Sequence, residues 1–476
     1  MTNALGRIWI AAAALAIGVI AGPSVAPAAA VALAATGVAA LAARRRPLVA
    51  IGGLCLIAFA SGVAIVAVRF AADSSLRHVA ERVPSCRVDG RVAEQIGGLG
   101  TLIALDNIRC EGWHDLMRPG LVVADAAEVD PGAAISGSGW IVPLGDDPFD
   151  RQRMRLGAAA RFDAVELRVG DIDSPIAAVA ARVRHGLRDA TSEIDGSTGG
   201  ILRGLAVGDV TGIDPATEES LRRAGLAHLV AVSGSNVAIV LGAVAFACRR
   251  LGLRLRLGIA AAALFMFVAV VGSEPSVLRA ALMGAIAVAA IAAGHKAEPL
   301  HALGLAVILL LCLRPGMVFS IGLHLSVAAT AGIILWAGPI ARRLRLPRVA
   351  AVPLAATLSA QVAVAPLLVL GFGEVSLVAP LANLIAFPAV PLGTILGLSS
   401  GVAGAIAPPV GAALARAAAP AGTWIFEVGK AFGGMHWASA SVPEWSGVVM
   451  AGVVMAVAIP FFSSPPTPGV GTEEKN

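Results

Sequence analysis

Eleven stretches of mainly apolar residues, most of them 15 to 22 residues long, decide what this chain can fold into. They lie at 8–22, 25–42, 47–68, 226–247, 257–272, 276–293, 299–313, 317–338, 350–370, 376–406 and 446–461, and 376–406 is long enough to be broken. A helix needs about 20 such residues to cross the hydrocarbon core of a bilayer. Charged residues make up 14% of the chain against about 25% in soluble domains, which excludes a wholly soluble protein. The first run, with Arg7 ahead of it and small residues behind, also fits a secretory signal peptide. Because two more runs follow at once, a membrane-embedded N-terminal region over 1–72 is the better reading. The segment 409–435 fits either a further span or a re-entrant element.

Residues 73–175 are of another kind. Apolar and charged residues alternate in Cys86-Arg-Val-Asp-Gly-Arg-Val92 and Ala164-Val-Glu-Leu-Arg-Val169, and Gly and Pro pairs recur between such runs. Short strands between turns predict a small β barrel or sandwich. The Arg151, Arg153 and Arg155 alternation reads as a solvated strand edge. Residues 75–175 hold 11 Arg against 16 Asp plus Glu, a net of −5, and only Trp113, Trp140, Phe149 and Phe162 as aromatics. Binders of single strands combine a basic groove with stacking rings, so the domain suits guiding or docking better than tight grip. Residues 176–225 read as an amphipathic helical linker, 226–462 as the main membrane domain, and 463–476 as a polar disordered tail.

Arginine clusters at 44–46, 249–256 and 342–348 belong in the cytoplasm by the positive-inside rule. Three spans from a cytoplasmic N-terminus then place 73–175 outside the cytoplasmic membrane. Cys86 and Cys110 are the two cysteines of that region. They form a disulfide if it faces an oxidising compartment, and are otherwise two separate buried thiols. With only His78 and His114 nearby and no short ligand spacing, no zinc site is expected.

Polar residues inside apolar runs are costly and mark either a wet path or interhelix packing. His228, Ser233, Ser235 and Asn236 surround Gly234 in one run, with His228 and Ser235 seven apart on a shared helical face. Arg279 lies about a turn into another, as a lipid-interface or Glu274-paired arginine or as a cationic contact for phosphates. Gln361 and Asn383 each precede a proline (Pro366, Pro388) that frees backbone groups. Asp214 before Pro215 starts a helix, and Asp209 is a structural turn residue.

The ordered series of these motifs resembles the ComEC competence family. Leu205-Ala-Val-Gly-Asp-Val-Thr-Gly-Ile-Asp-Pro215, then Gly225-Leu-Ala-His-Leu-Val-Ala-Val-Ser-Gly234, Pro275-Ser-Val-Leu-Arg-Ala-Ala-Leu-Met-Gly284, Leu323-His-Leu-Ser-Val-Ala-Ala-Thr-Ala-Gly332, Ala360-Gln-Val-Ala-Val-Ala-Pro366, Phe372-Gly-Glu-Val-Ser376 and Pro380-Leu-Ala-Asn-Leu-Ile-Ala-Phe-Pro388 follow in the family's order. The outer domain resembles its OB-like module, including Phe149-Asp150-Arg151, so the likeness covers roughly 80–395. The family often has His at position 236 and Gln at 324, where this chain has Asn236 and His324.

The resemblance implies a polytopic α-helical membrane protein of about eleven spans with an inserted OB-like extracytoplasmic β domain. It implies import of single-stranded DNA during natural transformation, along a path lined by His228, Ser233, Gly234, Ser235, Asn236, Arg279, His324, Gln361 and Asn383. An external DNA receptor, a separate nuclease and a cytoplasmic ATPase or helicase are the implied partners, with the bilayer and, for an assembled pore, further copies of the chain. No cofactor is implied. No His-x-His-x-Asp-His cluster of the nuclease domain found in many members occurs here, nor does a phosphate-binding Gly-x-x-x-x-Gly-Lys-Ser/Thr loop, so no enzyme is expected. A secondary transporter of a small or amphiphilic solute fits broken polar helices as well. A scaffold or receptor fits if the spans enclose no cavity.

Overall fold

The computed structural model describes residues 11–17, 76, 79–95, 100–110, 121–124, 129–145, 147–155, 158–272, 274–296 and 298–463. The N-terminal runs, apart from 11–17, and the tail from 464 on lie outside these residues.

Alternation builds the β domain. In β1 (Ser85–Gln95), Cys86, Val88, Gly90 and Val92 are buried while Arg87, Asp89 and Arg91 are exposed. The second half of β2 (Thr101–Cys110) follows the same period, whereas β3 (Leu121–Ala124) is almost continuously buried. The period returns in β4 (Ala133–Val142), and the first third of β5 (Ala158–Ile172) is again almost continuously buried. The five strands close a barrel in the order β1-β2-β3-β5-β4, all antiparallel except β3 with β5. Val88, Ile103, Ile108, Ile135, Ile141 and Phe162 fill it. A closed barrel removes the exposed edges that an open sheet of this size would carry. Cys86 and Cys110 face each other across β1 and β2 and are joined by a disulfide.

Arg151, Arg153 and Arg155 do not form a strand edge. They lie on helix α1 (Pro148–Arg155), which Asp147 starts by accepting from the backbone N–H of Phe149 at 2.8 Å and Asp150 at 2.9 Å, with Pro148 at the first helical position. Asp150 is buried and accepts from Gly145 N at 2.8 Å and Arg153 Nη1 at 3.0 Å.

Helices α2 (Pro175–Ala190), α3 (Gly196–Val207) and α4 (Pro215–Arg223) are more than a linker. Leu187, Ile201, Leu202 and Leu205 are fully buried in the helical body, and a side chain at Gly186 would collide with Gly401 and Ala405. An ion-pair joint ties the barrel to this body. Arg184 of α2 donates through Nη2 to Asp130 Oδ1 at 2.7 Å and through Nη1 to the carbonyl of Val270 at 3.1 Å, while His185 meets Asp130 Oδ2 at 2.8 Å. Burial would raise the Asp130 carboxyl; its hydrogen bond to Arg184 and the charges of Arg184 and His185 outweigh that and hold it below 3.8.

The remaining chain is helical: α5 (Ala227–Val230), α6 (Gly234–Ala247), α7 (Leu253–Val271), α8 (Pro275–Ala292), α9 (Pro299–Leu313), α10 (Ile321–Arg343), α11 (Arg348–Phe372), α12 (Ala379–Ala386), α13 (Ala389–Gly404), α14 (Pro408–Gly433) and α15 (Glu444–Ser463). A two-stranded ribbon, β6 (Glu374–Ser376) with β7 (Ser439–Ser441), clips α11 to the start of α15. Among the described residues, α7, α8, α10 and α11 are long and apolar enough to cross a membrane, and α12 with α13 makes a fifth if the pair, bent by 52°, is one broken span. The chain is therefore a membrane protein with a small β domain. The run at 226–247 is not one continuous helix but a single turn, an extended break and a 14-residue helix of about 21 Å, which reaches across a bilayer core only together with the turn and break before it. The ambiguous 409–435 segment is one helix, α14, whose Gly411 packs on Gly404 of α13.

Candidate functional site

The break before α6 is where polar groups gather. The chain leaves α5 at Ala231 in extended geometry and starts α6 at Ser233, which caps it without a side-chain bond to the helix amides. Ser233 Oγ instead pairs with Ser235 Oγ at 2.5 Å. Ser235 Oγ reaches Asn236 Oδ1 at 3.3 Å, and the fully buried Asn236 donates through Nδ2 to the carbonyl of Leu205 at 2.8 Å. Ser276, at the start of α8, donates to the carbonyl of Val232 at 2.9 Å and holds the break against α8.

One turn further along α8, Arg279 is 4% exposed. Its Nε donates to Ser326 Oγ of α10 at 2.8 Å and its Nη1 to Met283 Sδ at 3.2 Å. Nη2 lies against Gly234, 2.6 Å from where a Cβ would sit, so any side chain at 234 would have to displace the guanidinium. Among the described residues no carboxylate bonds to Arg279. Neither an exposed lipid-interface arginine nor a Glu274 partner describes it.

A model of the competence protein family matches residues 205–465, more than half of the chain, and the site lies inside that match. The chain belongs to the competence protein family. Among curated relatives, the ComE operon protein 3 of Bacillus subtilis (strain 168) is 30% identical over 154 residues, covering 32% of this chain and 20% of that protein. The chain thus matches about a fifth of the length of that relative. No solved structure matches.

The residues that the competence resemblance brought forward fall into two groups. Ser233, Gly234, Ser235 and Arg279 meet at the α6 break, joined by Ser326 of the Leu323–Gly332 motif. Asn236 turns inward and spends its amide on Leu205, so it braces the site rather than lining a path. His228 is exposed on α5 and shares no continuous helical face with Ser235, because the chain unwinds between them. His324 is exposed and two positions before Ser326, so the two point to different sides of α10.

Gln361 and Asn383 belong to a separate clamp. Gln361 Nε2 donates to the carbonyl of Ser376 at 2.5 Å, Ser376 Oγ to the carbonyl of Arg223 at 2.7 Å, and Asn383 Nδ2 to those of Gly225 at 3.3 Å and Ala379 at 2.9 Å. Together they hold the turn between α4 and α5, where Gly225 takes a left-handed φ of +72°. They do not line a path in this conformation; they satisfy backbone carbonyls around the α4–α5 turn and the β6 ribbon.

Asp209 sits in the Gly208–Gly212 turn between α3 and α4, with both glycines at positive φ. It accepts from Thr211 N at 3.0 Å and from Arg188 Nη2 at 3.0 Å. Burial pushes its carboxyl up, but the Thr211 and Arg188 hydrogen bonds prevail and keep it below the usual carboxylate range. Among the described residues no cluster of three His, Cys, Asp or Glu is placed to hold a metal ion.

Proposed function

We propose that this member of the competence family conducts single-stranded DNA inward across the cytoplasmic membrane during natural transformation, without catalysing a reaction itself. The observation that carries the reading is the buried, carboxylate-free Arg279 beside an unwound stretch of helix, within the segment matched to the family. Charged residues and broken helices at such depth belong to solute pathways more often than to packing. The strand would pass the α6 break on the side of Ser233 and Ser235. Asn236, Gln361 and Asn383 would serve as its braces.

The wider topology belongs to the same proposal. The four long spans, the bent pair, the shorter apolar helices Gly234–Ala247, Pro299–Leu313 and Trp445–Val454, and the three N-terminal runs would together make eleven crossings. The strand order and the parallel β3–β5 pair support an OB-like reading of the barrel, and its disulfide supports an oxidising, extracytoplasmic location. DNA would arrive from an external receptor, be reduced to one strand by a separate nuclease, and be drawn in by a cytoplasmic ATPase.

Deletion of the gene in a transformable host tests this directly. Labelled DNA should still bind the cell surface while the protected intracellular strand and transformants disappear. Normal transformation in the deletion strain, or uptake of a small solute by proteoliposomes that ignore DNA, would refute it.

A further inference from the structure

Two positive ends face each other at Gly234. One is the guanidinium of Arg279, nine-tenths and more removed from solvent, whose Nε and Nη1 are spent on neutral acceptors. The other is the N-terminus of the 14-residue helix α6, which carries the positive end of the helix dipole and whose Gly234 and Ser235 amides have no intrahelical acceptor, while Asn236 N donates to the Ser233 carbonyl at 3.0 Å. Ser233 adds no side-chain cap to those amides. Buried charges are ordinarily paired, and like signs brought together raise the cost further. Such an arrangement is completed by an anion. The approach to it is open, because Ser235 is exposed and Ser233 and Gly234 are half-buried, whereas Arg279 behind them is enclosed.

We propose that the start of α6 and Arg279 form one seat for a single phosphodiester phosphate, with Nη2 of Arg279, the Gly234 and Ser235 amides and the paired Ser233 and Ser235 hydroxyls as its donors. This rests on the conduction of DNA proposed above and narrows it. The strand is held through its backbone at one point, without regard to base, and Gly234 is a requirement of the seat because a methyl there would take the place of Nη2. Asn236 and Ser276 are positioning residues. By tying α6 to Leu205 and the preceding break to α8, they fix the amides relative to the guanidinium.

The test uses the full chain in phosphatidylcholine nanodiscs and a fluorescent twelve-nucleotide oligothymidine, with anisotropy read across a salt series. Binding of a single strand weakens with a log–log slope of about −0.7 per phosphate neutralised. Arg279→Gln should weaken binding about tenfold and flatten the slope by about 0.7, whereas Arg279→Lys keeps the slope. Gly234→Ala should weaken binding with Arg279 intact, and a strand with methylphosphonate linkages should gain nothing from Arg279. Wild-type binding with the same affinity and slope in Arg279→Gln would overturn the seat and leave the conduction reading standing. If the wild-type chain binds no strand, the conduction reading fails, and the seat is then judged by inorganic phosphate. Phosphate raising the unfolding temperature above that in chloride at equal ionic strength, in wild type but not Arg279→Gln, supports the seat; equal temperatures overturn it. Nanodiscs containing phosphatidylglycerol separate the remaining source of phosphate. Strand binding that persists supports the proposal, and Arg279-dependent loss of it to the lipid overturns the proposal in favour of a headgroup site.

Discussion

Breaking the Cys86–Cys110 bond should loosen the barrel more than any other single change to it. The bond closes a loop with a sequence separation of 24 between adjacent strands. Chain-entropy arithmetic for a loop of that size gives roughly 3.5 kcal/mol of stabilisation at room temperature. The barrel interior is otherwise held by a modest set of aliphatic side chains and Phe162, so this is a large share of what a domain of its size commands. The Cys86→Ser/Cys110→Ser pair avoids a free thiol and keeps both side chains small. Hydrogen exchange of β1 and β2 amides in the full-length protein is the assay. Protection should fall by about two to three orders of magnitude in these strands, since each 1.4 kcal/mol is tenfold, and α11 to α14 should be unchanged. Unaltered exchange in β1 and β2 would refute the reasoning and leave the bond without stabilising effect.

Other substitutions probe the joints. Asp130→Asn should free the barrel from the helical body at a cost of about 1–2 kcal/mol, read as faster proteolysis between β5 and α2, because Arg184 loses its partly buried partner. The Asp130 carboxyl is held below 3.8 in the folded protein, so this contribution is complete above that pH and is lost as the pH falls through the lower folded value; wild type should approach the variant only in acid. Gly433→Ala drives a methyl into the backbone of Ser220 and should destabilise the α14–α4 contact by about 1–3 kcal/mol, visible as a lower unfolding temperature. Asn236→Leu strands the Leu205 carbonyl and should lower protein stability by about 1–3 kcal/mol, with any loss of uptake tracking loss of protein.

What local chemistry controls was legible in the sequence. Long apolar runs marked α7, α8, α10 and α11, alternation marked β1 and β5, and Asp214 with Pro215 starts α4, Asp214 accepting from Thr217 N at 2.9 Å. The break at Pro388 was legible for the same reason, since proline removes a donor and clashes with the preceding turn. The break at Ala231 was not, because the apolar run continues through it unbroken; only the Ser233-Gly-Ser-Asn236 cluster hinted at unwinding. Helix α1 was missed although Asp147-Pro148 is a start signal, because the alternating arginines imitate a strand. The destinations of polar side chains were beyond reach. Asn383 and Gly225 are separated by 158 residues and Asn236 and Leu205 by 31, so nothing local distinguishes a brace from a pore-lining group. Ser326 becomes meaningful only once Arg279 is seen to reach it.

Single-strand uptake in cells bearing Arg279→Gln, with the protein at wild-type abundance, probes the central claim most directly. DNA bound outside should be unchanged and internalised label should drop at least tenfold, with partial recovery in Arg279→Lys. Undiminished internal label in Arg279→Gln would contradict a DNA path at the α6 break.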